Sequence, residues 1–139
     1  MTNTDIGAIA RSLPERVYNS GDIAYVDEIV APDFVRHGLG GTLHGTKVIK
    51  DRVNAIRTGF PDFQITIEDL LIDGDKVVLR QTHTGTHTGE FMGVPPTGNR
   101  IQTTEISILR VVEGKIREVW VNVDLLTMLQ QIGLVKLPG

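Results

Sequence analysis

The residues best suited to chemistry gather in KIREVWVNVDLLTMLQQIG, Lys115 to Gly133. The stretch reads as a strand that runs directly into a short helix. Side chains alternate along a strand, so Ile116, Glu118, Trp120, Asn122 and Asp124 share one face, and Arg117, Val119, Val121 and Val123 the other. An aromatic, an amide and two acids together suit a lined cavity or open water. Asp124 has two readings. In an apolar cavity its pKa would rise from about 3.9 in water, making it a general acid or base. The same carboxylate directly precedes LLTMLQQ and would cap that helix by accepting a backbone N–H, and spacing alone favours the cap.

The other candidates lie upstream. His37 ends the extended segment DFVRH; it either exchanges protons or binds an enolate oxygen at a cavity mouth, or bonds to backbone at a strand end. His83 sits within a strand and reaches a cavity only if its face is the concave one; a structural role is favoured. His83, His87 and Glu90 loosely suggest a metal site. On one strand, however, the two histidines would lie about 13 Å apart at roughly 3.3 Å per residue, too far to share an ion. No metal is expected. His87 is then assigned to a loop at the cavity rim and His44 to a turn. Glu105 is either a second cavity acid or a surface partner of a basic side chain, and its pairing register favours the cavity. Arg80 reads as an ion-pair member and Tyr18 as core. Cavity shape would depend on Phe34, Val53, Leu79, Phe91 and Trp120, with Phe91 and Met92 forming a lid or packing between subunits.

The elements that must position these residues follow from periodicity. Apolar spacing predicts a helix over Asp5 to Asn19, which Pro14 bends or restarts, and a second helix capped by Asp22 with Ile23, Val26, Ile29 and Val30 buried. After DFVRH comes a glycine-rich turn, GLGGTLHG, then a third helix over Thr46 to Thr58. From Phe63 the period becomes that of strands: Phe63 to Ile72, Lys76 to His87, Arg100 to Val112 and Lys115 to Val123. Hairpin turns fall at Asp73-Gly74 and Glu113-Gly114. Helices first and antiparallel strands second predict an α+β domain. Counting from the Glu113-Gly114 turn places Ser107 opposite Trp120, Glu105 opposite Asn122 and Thr103 opposite Asp124.

Composition bounds the function classes. The 139 residues, 40% hydrophobic and 22% charged, fit a single domain over 1–139. A net charge of −3 without a Lys/Arg cluster argues against nucleic acid. There are no cysteines, which excludes disulfides, zinc thiolates and a cysteine nucleophile. No apolar run approaches the roughly 18 residues of a membrane helix, and the N-terminus lacks a signal-peptide pattern. A cytoplasmic protein is expected.

Three segments in order, VDEIVAPDFVRHG (Val26 to Gly38), GTHTGEFMGVPPTGNR (Gly85 to Arg100) and EGKIREVWVNVDLLTMLQQIG (Glu113 to Gly133), resemble the SnoaL-like polyketide cyclase, or ester cyclase, family of the nuclear transport factor 2-like superfamily. The resemblance implies a cone-shaped fold in which a strongly curved antiparallel sheet wraps the N-terminal helices and encloses a pocket, with a short C-terminal helix. It implies ring closure of a hydrophobic polyketide-like substrate by intramolecular aldol chemistry, without metal or cofactor, in an oligomer, here expected to be a homodimer. By the same resemblance Asp124 would be the general acid/base and Trp120 a pocket wall. His37 would lie near the position where related ketosteroid isomerases carry a carboxylate base. Strand facing, register and packing, not the resemblance, put forward His83, Glu105, Asn122 and Phe34 as substrate contacts. The rival is a small-molecule-binding domain of the same fold, without catalysis, in which Asp124 only caps. An epoxide hydrolase needs an Asp–Arg–Asp set that Gln102, Thr103, Thr104 and Glu105 do not supply, and an isomerase needs a tyrosine where Tyr18 does not fall.

Overall fold

The computed structural model describes residues 1–138. Helix α1 (Asn3–Ser12) opens with a capping box, the Thr2 hydroxyl accepting from the Asp5 N–H and the Asp5 carboxylate from the Thr2 N–H. Pro14 cannot donate a backbone bond, and the chain widens there into π-helical turns over Leu13–Asn19. The expected second helix is shorter than its periodicity suggests: a 3-10 turn (Ile23–Tyr25) and a single turn, α2 (Val26–Ile29). Asp22 does not cap it, because its carboxylate binds Arg16 at 2.8 Å.

Strand β1 (Val30–Gly38) begins at Val30. The expected glycine-rich turn instead contains a short strand, β2 (Gly41–His44), which places His44 at a sheet edge. Helix α3 (Lys47–Gly59) is followed by β3 (Gln64–Asp73), β4 (Lys76–Thr86), β5 (Arg100–Val112), β6 (Lys115–Val123) and α4 (Leu125–Gln131). The strands form one unclosed sheet in the order β2-β1-β6-β5-β4-β3. Every neighbouring pair is antiparallel except β1 with β6, which run parallel.

The β5–β6 hairpin decides which side chains face inward. Glu113 and Gly114 both take positive φ, 53° and 78°, as a two-residue hairpin turn requires, and Val112 pairs with Lys115. One step later Val111 pairs with Ile116 but Arg110 with Glu118, which leaves Arg117 as a β-bulge. A bulge reverses the facing of every residue beyond it. Ile116 and Val119 therefore both point inward, 0% and 5% exposed. The counted register is corrected by one residue: Ser107 opposes Val121, and Glu105 opposes Val123.

The apolar side chains bury in two clusters. One joins Val17, Val26, Phe34, Val53, Leu79, Leu109 and Ile116. The other joins Phe60, Phe63, Ile101, Phe91, Met128 and Ile132, and Tyr18 packs against both. Among the described residues no helix is long and apolar enough to cross a membrane.

Candidate active site

The inner sheet face and the helices enclose a cavity of about 310 Å³, lined by residues of both clusters. That matches the lower end of small-molecule sites, roughly 300–1,000 Å³. The walls are mainly apolar, including Phe34, Ile49, Leu79, Leu109, Val119 and Met128. Seven polar side chains join them: Tyr18, Arg36, Arg52, Gln81, His83, Glu105 and Ser107.

Strand alternation brings most of these together. Gln81 and His83 follow Leu79 along the inner face of β4, and Glu105 and Ser107 face the same way on β5. Gln81 pairs directly with Glu105 across the two strands. Arg36 enters from β1, two residues after Phe34, and Arg52 from α3. The widened turns after Pro14 contribute Leu13, Pro14 and Tyr18.

Burial sets the protonation states. The Glu105 carboxyl is pushed up from its ordinary 4.5 to about 7 by loss of water, against the opposing pull of the Arg52 and Arg36 charges. It is therefore populated in both forms near neutral pH, as an acid/base group must be. His83 is brought down from 6.5 to about 4, first by burial and then by the Arg52 charge, so its imidazole is neutral. Its Nε2 lies 2.9 Å from Gln81 Oε1. Nε2 accordingly carries the proton and donates, which leaves the Nδ1 lone pair. Burial also raises the Tyr18 phenol and lowers Arg36, whose guanidinium is further opposed by Arg52.

Of the residues singled out in the sequence, Phe34, His83 and Glu105 line the cavity. Four others do not. Asp124 is exposed and caps α4: its Oδ1 accepts the Thr127 N–H at 3.1 Å and its Oδ2 the Thr127 hydroxyl at 2.6 Å. Those bonds, the hydroxyl first, hold its pKa below the ordinary value, the reverse of what a desolvated acid would show. Trp120 lies on the outer sheet face and stacks on His37 at 5.5 Å. His37 is hydrogen-bonded there to Glu118, which also accepts from Arg110 at 3.2 Å, and Asn122 is exposed. For Trp120, Asn122 and Asp124 the physical reason is the Arg117 bulge, which turns the Val119, Val121 and Val123 side to the cavity; His37 faces outward because it alternates with the inward Phe34 and Arg36 on β1.

The long loop after β4 docks on the end of α3. The Thr88 and Gly89 N–H groups both donate to the Gly59 carbonyl at 3.1 Å. A Cβ on Gly89 would lie 1.9 Å from the Thr58 carbonyl oxygen, so only glycine fits. This docking sets Phe91 and Met92 into the cavity wall. His87 lies beneath the loop instead of at the rim, fully buried, its Nδ1 accepting from the Thr97 N–H. Among the described residues no three His, Asp or Glu side chains converge as a metal-ligand set.

Arg36, Arg52 and Gln81 are cavity residues that the sequence did not single out, and Ser107 entered only through its hairpin register. The signal for Arg52 was its place in the stripe Ile49, Arg52, Val53, Ile56 of α3, an inward-facing helical spacing.

The model of the family described as SnoaL-like polyketide cyclase matches residues 8–132. The nogalonic acid methyl ester cyclase of Streptomyces nogalater is 30% identical over 108 residues, covering 73% of this chain and 78% of that protein. The aklanonic acid methyl ester cyclase DnrD of Streptomyces peucetius is 26% identical over 121 residues, covering 84% and 81%. Among solved structures, IdmH of Streptomyces antibioticus superposes with a TM-score of 0.80 at 36% identity, over 92% of this chain and 98% of its own.

Proposed function

The chain belongs to the SnoaL-like polyketide cyclase family, and from that premise we propose that it closes a ring in a polyketide-like substrate by acid/base chemistry centred on Glu105. The observation that carries the reading is a carboxyl on the wall of an apolar cavity with its pKa raised to about 7. In the proposed sequence the Glu105 carboxylate takes a proton from a carbon beside a carbonyl. The resulting enolate carbon bonds to a second carbonyl carbon of the same molecule, and that carbonyl's oxygen receives the proton back from Glu105. Atoms and charge balance within one substrate, so the step is an isomerisation. The apolar walls fold the substrate into reach, which is a large share of what such a closure needs. His83 acts as a neutral positioning group, its Nδ1 lone pair accepting from a substrate hydroxyl. Asp124 has no part in the chemistry. A homodimer is part of the reading, supported by the apolar strip on the outer sheet face, where Ile106 is 50% exposed and lies on the same face as Ile108 and Trp120.

The test uses nogalonic acid and its methyl ester as probes in D₂O, with closure followed by chromatography and deuterium uptake by mass spectrometry. Wild type is expected to give a cyclised product from at least one probe, and Glu105→Gln to lose closure and exchange by at least 100-fold. Equal rates in the two proteins, or no exchange in the wild type, would leave a binding domain as the better account.

A further inference from the structure

Five arginines of this chain, Arg11, Arg16, Arg80, Arg110 and Arg117, have a carboxylate partner at contact distance. The two that line the cavity, Arg36 and Arg52, are in no ion pair among the described residues. Arg36 is only 3% exposed; its Nη1 reaches the Leu39 carbonyl at a long 3.3 Å and its Nη2 has no hydrogen-bond partner among the described residues. A guanidinium is costly to bury with an N–H unmatched, and holding a second cation close enough to oppose it adds repulsion. A fold that retains both is arranged for something that offsets them. In a protein of net charge −3 the cavity is a cationic enclave, its one carboxylic acid, Glu105, set against two guanidiniums.

We propose that Arg36 and Arg52 form an anion subsite and that the ligand of this cavity is an aromatic or polyketide-like acid with a free carboxylate. The chemistry of the walls supports both halves. Phe34, Ile49, Leu109 and Val119 offer apolar surface for rings. Guanidinium groups present paired N–H donors that match the two oxygens of a carboxylate, and they do so most strongly where water is excluded. His83 is neutral and adds no competing charge. The subsite rests on reading the cavity as the substrate site. It sharpens that reading, because the nogalonic and aklanonic acid relatives are cyclases of methyl esters, whose carboxylate is masked, whereas two arginines with no ion-pair partner among the described residues select the unmasked acid.

The experiment compares 2-naphthoate with its neutral ester, methyl 2-naphthoate, by isothermal titration calorimetry on the full chain at pH 6.5 and low salt. The acid is expected to bind at least 10-fold more tightly than the ester. In Arg52→Gln the acid should weaken at least 10-fold while the ester stays within 2-fold, and Arg36→Lys, which keeps the charge, should retain the preference for the acid. Equal binding of the two probes, tighter binding of the ester, binding of neither, or an Arg52→Gln that weakens both alike would each overturn the subsite. Should either variant fail to fold, as read by circular dichroism, the wild-type comparison alone decides. The outcome is separable from the cyclase reading. Loss of acid preference with Glu105-dependent deuterium uptake intact would sink the subsite only, and the reverse pattern would sink the cyclase and keep the subsite.

Discussion

Replacing Glu105 by Gln removes a titration while leaving the shape of the side chain, so it isolates the effect of burying that carboxyl. In the unfolded chain Glu105 titrates near its ordinary 4.5, and in the folded chain near 7. Between those values the folded state holds one more proton than the unfolded state. The contribution to stability is therefore fully present below 4.5 and is lost as pH rises through about 7. At about 1.4 kcal/mol per pH unit the complete loss is on the order of 3 kcal/mol. Between pH 5 and pH 8 it comes to about 2.5 kcal/mol, and water reaching the cavity reduces the expected span to about 1–2.5 kcal/mol. Urea unfolding of wild type and Glu105→Gln at both pH values measures it, because titrations common to the two proteins cancel in the difference. The Gln variant should gain that much on the wild type in going to pH 8. A difference constant to within about 0.5 kcal/mol would mean a carboxyl as well hydrated as in a peptide, and one of opposite sign a carboxylate held ionised by Arg52 and Arg36; in either case the acid/base assignment would lose its physical ground.

Three further perturbations test the rest of the site. Asp124→Asn should leave unfolding free energy and cyclase turnover nearly unchanged, since Asn caps as well as Asp, whereas Asp124→Ala should cost about 1 kcal/mol in urea titration with turnover still intact. The ¹⁵N shifts of His83 should report a neutral ring with the proton on Nε2 from pH 8 down to pH 5; because its folded pKa of about 4 lies below the ordinary 6.5, acidification through that window favours the unfolded chain. Gly89→Ala should lower the melting temperature by several degrees and weaken ligand binding together, because the methyl cannot coexist with the Thr58 carbonyl and the loop must lift Phe91 and Met92 from the cavity wall.

The fold was legible because its signals are local and repeated. The Asp124 cap, the strand periods and the Glu113-Gly114 turn each depend on a few neighbouring residues, and the family resemblance supplied the topology. Where local signals compete, tertiary pairing decides. The apolar spacing after the SGD turn suits a helix, but Val30 and Ala31 are needed as strand residues in the sheet core, and only one α-helical turn remains. His44 looked like a turn residue because glycines surround it; pairing of Thr42 with His37 draws the segment into an edge strand. The motif ending in Gln130, Gln131 and Gly133 is likewise structural: the Gln131 side chain accepts from the Gln102 N–H at 2.9 Å and donates to the Gln102 carbonyl at 3.1 Å, extending the bonding of β5 beyond the sheet.

The site turned on one residue. Strict alternation from Lys115 puts Trp120, Asn122 and Asp124 in one set with Ile116, and a single extra residue at Arg117 separates them from it. The hint was present: Ile116 and Val119 are three apart in a strand whose other apolar residues, Val119, Val121 and Val123, are two apart, and a spacing of three on a buried face requires a bulge. Taking that hint turns the valines inward and the tryptophan outward. It leaves Glu105 in place, because β5 carries no bulge between its register with β4 and the cavity. The inner faces then read Leu79, Gln81, His83 on one strand and Glu105, Ser107, Leu109 on the next. With Phe34 already inward on β1, Arg36 two residues on must follow it. A cation, an amide, a neutral histidine and a desolvated acid thus come to one cavity by alternation alone. What alternation could not supply is their charge state, since that depends on how completely the helices exclude water from the same face.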